Sequence, residues 1–147
     1  METKRCMKGL CKTCPEINTC TGQAKYHVTI KIDYKFESIN NYINACRTNY
    51  HMANKIKQKE TALSALEFTK IPKIERYPIK IKFKWHMKSK TADLDGRLAK
   101  NIIDGLVRSK RIEDDNVKFI QKIVHEYIPD IKDYVEVEIE ELWETKL

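Results

Sequence analysis

The sequence predicts an α+β domain built on a mixed β-sheet, and three observations lead there. Some stretches alternate apolar and polar residues one by one, as half-buried strands do, while others repeat their apolar residues at helical spacing. These stretches follow one another as strand, helix, strand, helix, strand, strand, with no repeated strand-helix unit, which suits a mixed sheet and not a doubly wound one. The 147 residues are enough for one compact core and too few for two.

Each element has its own signal. From Tyr26 to Tyr34, Val28, Ile30 and Ile32 alternate with polar neighbours, which predicts the first strand. Ser38-Ile39-Asn40-Asn41 then reads as a turn. Between Met52 and Phe68, Lys, Gln, Glu and Ala favour a helix that turns Ile56, Leu63 and Leu66 inward. Pro72 and Pro78 mark a linker. The clearest strand follows, with Ile79, Ile81, Phe83, Trp85 and Met87 facing a core and Lys80, Lys82, Lys84 and His86 on the other side. Leu94, Leu98, Ile102, Ile103, Leu106 and Val107 predict a helix from Asp93 or Asp95 to about Arg108. Strands are expected at Phe119 to Tyr127 and Tyr134 to Leu142.

Residues 1–24 have neither period and read as a Cys-rich extension of a domain spanning 25–147. Cys6, Cys11, Cys14 and Cys20 are separated by four, two and five residues, and the central C-x-x-C is a natural chelating pair. A zinc staple and a tail of free thiols both fit that spacing. A reducing cytosol disfavours disulfides, and an iron-sulfur cluster lacks its signature. Cys46 reads as an ordinary thiol.

Composition excludes several functions. At 41% hydrophobic and 33% charged the chain is that of a globular protein, and no apolar run approaches the ~20 residues of a membrane helix. The first residues lack a signal peptide's apolar core, so a cytoplasmic location is expected. There is no Gly-rich phosphate loop to hold a nucleotide cofactor. His27, His51, His86 and His125 form no triad with a Ser or Cys. The formal charge of +7 and pI near 9.1 point to an anionic partner, since Lys and Arg bind phosphates by releasing counterions. Lys80, Lys82, Lys84, His86, Lys88, Lys90 and Arg97 are candidates for phosphate contact; each also fits an ordinary solvated surface.

The acids suggest chemistry. Asp93-Leu94-Asp95 stands between the cationic strand and the second helix, and two oxygen-donor carboxylates so close together suit Mg²⁺, which takes one or two from a protein. Helix capping is the plainer account of that pair. Lys100, Asp104 and Asp114-Asp115 lie downstream; Lys100 and Asp104 also fit an exposed ion pair one helical turn apart. Carboxylate-bound Mg²⁺ can activate water and neutralise charge in phosphodiester hydrolysis.

The stretch from Pro78 to Met87, then Asp93-Leu94-Asp95, Lys100, Asp104-Gly105-Leu106 and Ile112-Glu113-Asp114-Asp115, resembles the core of the RusA family of Holliday junction resolvases in order and spacing. Ser38-Ile39-Asn40-Asn41-Tyr42 is similar to that family's Ser/Asn-rich loop, and the last two strands fit its closing hairpin. The resemblance implies a RusA-like fold, Asp93, Asp95 and Asp115 as Mg²⁺ ligands, and Lys100 as the catalytic lysine, with Asp114 a neighbour. It also implies a homodimer that nicks symmetry-related strands of four-way DNA junctions in recombination and repair, in a phage or prophage setting. The chain departs from the family by one extra residue between Asp95 and Lys100, which makes Arg97 a substitute cation, and by one fewer between Met87 and Asp93. The rival expectation is a non-catalytic, zinc-stabilised nucleic-acid-binding protein.

Overall fold

A computed structural model describes residues 26–142; the cysteines of the N-terminal extension lie outside them. The elements are β1 (His27–Ile32), α1 (Ile39–Thr48), α2 (Tyr50–Phe68), β2 (Ile79–Met87), α3 (Lys100–Arg108), β3 (Ile120–Pro129) and β4 (Tyr134–Glu141). The fold is α+β with a mixed four-stranded sheet in the order β1-β4-β2-β3. Among the described residues no helix is long and apolar enough to cross a membrane.

The strict alternation of β2 is realised in full. Ile79, Ile81, Phe83, Trp85 and Met87 are buried on one face, joined by Ile30 and Ile32 of β1, by Val135, Val137 and Ile139 of β4, and by Phe68, Ile102 and Leu106 from the helices. On the opposite face Lys80, Lys82 and Lys84 stand in register with Glu140, Glu138 and Glu136. Cross-strand pairs of opposite charge stabilise a sheet and fix its register.

Three expectations need correction. β3 and β4 do not form a hairpin: β4 lies between β1 and β2, antiparallel to both, and β3 pairs parallel to β2 at the far edge. The short link between them passes over the end of β2, where Asp130 N donates to Met87 O at 3.2 Å. The physical reason lies in burial, because β4 buries Val135, Val137 and Ile139 and so takes an interior position, whereas β3 exposes six of its ten residues. Second, Ser38 does not begin a turn but caps a helix, its Oγ accepting from Asn41 N at 3.1 Å. Helix α1 buries none of its residues fully; Ile39, Tyr42 and Ala45 form a short half-buried stripe. Third, α3 begins at Lys100, so the Asp93-Asp95 segment is loop.

Helix α2 is also rotated from its expected orientation. Its buried residues are Ala53, Glu60, Ser64 and Phe68, while Leu66 faces outward. The small side chain of Ser64 lets α3 come very close at Gly105, where an added Cβ would lie 2.6 Å from Ser64 Cβ and 2.9 Å from Thr61 O.

Candidate active site

Strand β2 ends at Met87 and delivers the chain into the loop of residues 88–99, whose backbone is pinned from several sides. Gly96 N donates to Asp93 O at 3.2 Å, closing a turn, and Ile39 N at the start of α1 donates to Gly96 O at 2.9 Å. Arg97 pairs with Ser38 in an isolated β-bridge, and its guanidinium reaches Asp93 O through Nε at 3.3 Å and Met87 Sδ at 3.6 Å. The loop is thus fixed while the side chains of Asp93 and Asp95 remain exposed.

Those two carboxylates are not helix caps. Helix α3 has no acidic residue in its first turn and no side-chain cap, and Ala99 occupies the cap position. Among the described residues neither Asp93 nor Asp95 has a side-chain hydrogen bond or ion pair, so no internal cation offsets the charge. Two adjacent anions left this way favour binding a cation from solution.

Lys100 opens α3 and gathers the other acids. Its Nζ lies 2.8 Å from Asp104 and 2.6 Å from Asp115, which comes from the segment before β3. These contacts, Asp104 first, raise the Lys100 ammonium above the ordinary lysine range. The hydrogen bond from Lys100 holds the Asp115 carboxyl below the usual aspartate range. Asp114 closes its own turn, accepting from Asp115 N and Asn116 Nδ2, each at 2.8 Å.

Asp93, Asp95 and Asp115 are not drawn into a closed cage. Among the described residues no three His, Cys, Asp or Glu side chains are placed to hold one ion, and Asp115 is occupied by the ammonium. The donor chemistry of Asp93 and Asp95 fits a hard divalent cation that keeps water ligands.

Beside the loop opens a cavity of about 590 Å³. Trp85, Phe36 and Tyr134 form its apolar wall; Ser38, Asn41 and Ser89 its polar one; Lys35, Lys88 and Arg97 bring positive charge and Glu37 and Asp133 negative, Asp133 lying 3.8 Å from Lys35. Of the expected phosphate-contacting cations, Lys80, Lys82 and Lys84 lie 3.2, 3.8 and 3.2 Å from Glu140, Glu126 and Glu138. His86 is buried between Asp130 and Glu136 and stacks on Tyr134. Lys88 and Lys90 are exposed, and among the described residues their ammonium groups meet no carboxylate.

Glu60 is a supporting residue that the sequence reading missed. Fully buried on α2, it accepts from Glu37 N and from Asn101 Nδ2, both at 2.9 Å. It therefore ties the segment before α1 to the residue following Lys100. Burial pushes its carboxyl above the ordinary glutamate range. The available signal was its spacing, seven residues after Ala53 and eight before Phe68 on one helical face.

No protein-family model matches the chain, and no curated protein matches it.

Proposed function

We propose that this chain is a magnesium-dependent endonuclease of the RusA kind that resolves four-way DNA junctions as a homodimer. Asp93 and Asp95 carry the proposal: they are exposed on a pinned loop, have no side-chain partner among the described residues and do not cap α3. An acidic pair beside cations meant for DNA repels phosphate unless a metal ion stands between them. A surface built only for binding has no use for it.

Asp93 and Asp95 would hold the ion, while Asp115 is engaged by the Lys100 ammonium. Bound there, Mg²⁺ supplies a water of lowered pKa and positive charge for the phosphate oxygens. The chain's own residues supply the rest. Lys100 keeps its proton throughout the neutral range because Asp104 and Asp115 face it, so it is a permanent positive charge able to meet a phosphate oxygen or a leaving alkoxide. Lys88 and Arg97 line the cavity beside the loop, and the exposed Lys90 adds a further cation for backbone phosphates. Selectivity then rests on branched shape and backbone contacts more than on base edges.

The rival, a zinc-stabilised binding protein without catalysis, draws on cysteines outside the described residues and leaves Asp93 and Asp95 without a role. Purified protein incubated with a synthetic four-way junction or a linear duplex, with Mg²⁺ or with chelator, separates the two. Paired nicks confined to the junction and dependent on Mg²⁺ are expected. Binding without nicks under every divalent-ion condition would favour the rival.

A further inference from the structure

Strand β3 closes the sheet on one side, and among the described residues its outer edge is paired with nothing. A long edge with free N–H and C=O groups is a template for another strand. On the core-side face, β3 places Ile123 beside Ile81 and Tyr127 beside Trp85. Ile81 and Trp85 are buried, yet Ile123 is 48% and Tyr127 38% exposed. Two further apolar residues flank the strand almost bare: Val117 just before it at 80% and Ile131 just after it at 89%.

We infer that β3 is the seam between two copies of this chain, pairing antiparallel with the β3 of a second copy about a two-fold axis midway between the two copies of Val124. This deepens the homodimer proposed above and rests on that reading for its partner. An axis perpendicular to the sheet must pass midway between one residue and its own counterpart, because opposed residues share a face. Centred on Val124, the register sets Lys122 against Glu126 of the other copy twice over. Centring on Ile123 instead opposes Lys122 to Val124, and centring on His125 opposes Lys122 to Ile128 while it brings Ile123 against Tyr127. Of these registers, only the one centred on Val124 sets Lys122 against Glu126. Glu126 is available for it, lying at 3.8 Å from Lys82, and Lys122 has no carboxylate partner among the described residues. The interface is isologous, so it closes after two copies and does not grow into a fibre.

Sedimentation equilibrium of the full chain, without DNA or metal, tests this apart from any nuclease activity. A dimer is expected. Lys122→Glu or Glu126→Lys alone should weaken it by roughly tenfold or more, since each places like charges opposite each other in two symmetric pairs. The combined K122E/E126K chain should recover dimerisation. These side chains are exposed, so a thermal melt should show each variant folded. A monomeric wild type, a dimer indifferent to both single changes, or a double variant that stays weakened would each overturn the pairing. A dimer that cleaves no junction would instead fault the nuclease proposal and leave the seam standing.

Discussion

The Lys100 ammonium stands 2.6 Å from an Asp115 carboxylate oxygen across fifteen residues of sequence. The contact joins the first turn of α3 to the segment entering β3, so one long side chain sets where the second acidic segment sits relative to the Asp93-Asp95 loop.

The Lys100 side chain is 61% exposed, so removing it should cost little in stability. For Lys100→Met we expect a change within about 1 kcal/mol in urea unfolding, as for other exposed pairs, but a loss of cleavage of roughly 10² to 10³. The pair's pH dependence has a definite sign. The depressed Asp115 pKa gives stability that is present above the ordinary aspartate range and lost as pH falls through the folded value. The raised Lys100 pKa gives stability that persists until pH climbs past the ordinary lysine range. The pair should therefore contribute evenly across neutral pH and weaken with salt. A K100M variant that keeps wild-type cleavage would remove Lys100 from the chemistry.

Glu60 acts in the opposite sense. Its pKa is raised by burial, so its contribution is fully present below the ordinary glutamate range and fades as pH rises through the raised value. Glu60→Gln abolishes that titration, and one of the two bonds from Glu37 N and Asn101 Nδ2 is lost. A destabilisation of about 1–3 kcal/mol is expected at low pH, narrowing as pH rises to neutrality. Thermal melts of both proteins from pH 4 to pH 8 measure the gap, and a gap independent of pH would contradict a buried titrating carboxyl.

Gly105→Ala tests the close contact of α2 with α3. Its Cβ would meet Ser64 Cβ at 2.6 Å and Ala65 N at 2.9 Å, and backbone cannot move aside as a flexible side chain does. Overpacking of this kind costs about 1–3 kcal/mol, despite alanine's better helix propensity. Ser64→Ala should not relieve it, because the clash is with Cβ. A more stable G105A chain in denaturant titration would show that the helices stand farther apart.

What could be read from the sequence follows from which signals are local. The span Ile79–Met87 is found as expected because alternation alone defines a strand with one buried face. The start of α3 was misplaced because Leu94 and Leu98 extend its apolar spacing upstream, although the Asp93 to Gly96 turn and the bridge to Ser38 hold that stretch as loop. Helix α1 is short and buries no residue fully, so its stripe of Ile39, Tyr42 and Ala45 is a weak signal beside Asn40-Asn41. The partners of β3 and β4 are long-range facts that connection length cannot supply; the clue lay in the unbroken alternation of Val135, Val137 and Ile139 against the mixed Ile123-Val124-His125. Of the site, the acids and Lys100 were visible as a pattern, and the structure adds that Lys100 gathers Asp104 and Asp115 while Asp93 and Asp95 stand apart. Glu60 escaped notice because an acid on a helix reads as surface until the helix is packed.

The most direct measurement replaces Asp93 and Asp95, one at a time, with Asn and follows both binding and nicking of a four-way junction in Mg²⁺. Neither side chain has a partner among the described residues, so stability should be unchanged. Junction binding should persist or tighten as negative charge is removed, while paired nicking falls by at least about 10², the scale expected when a metal's charge is lost from a transition state. Full nicking by either variant, or loss of folding in place of loss of cleavage, would contradict the role assigned to the two carboxylates.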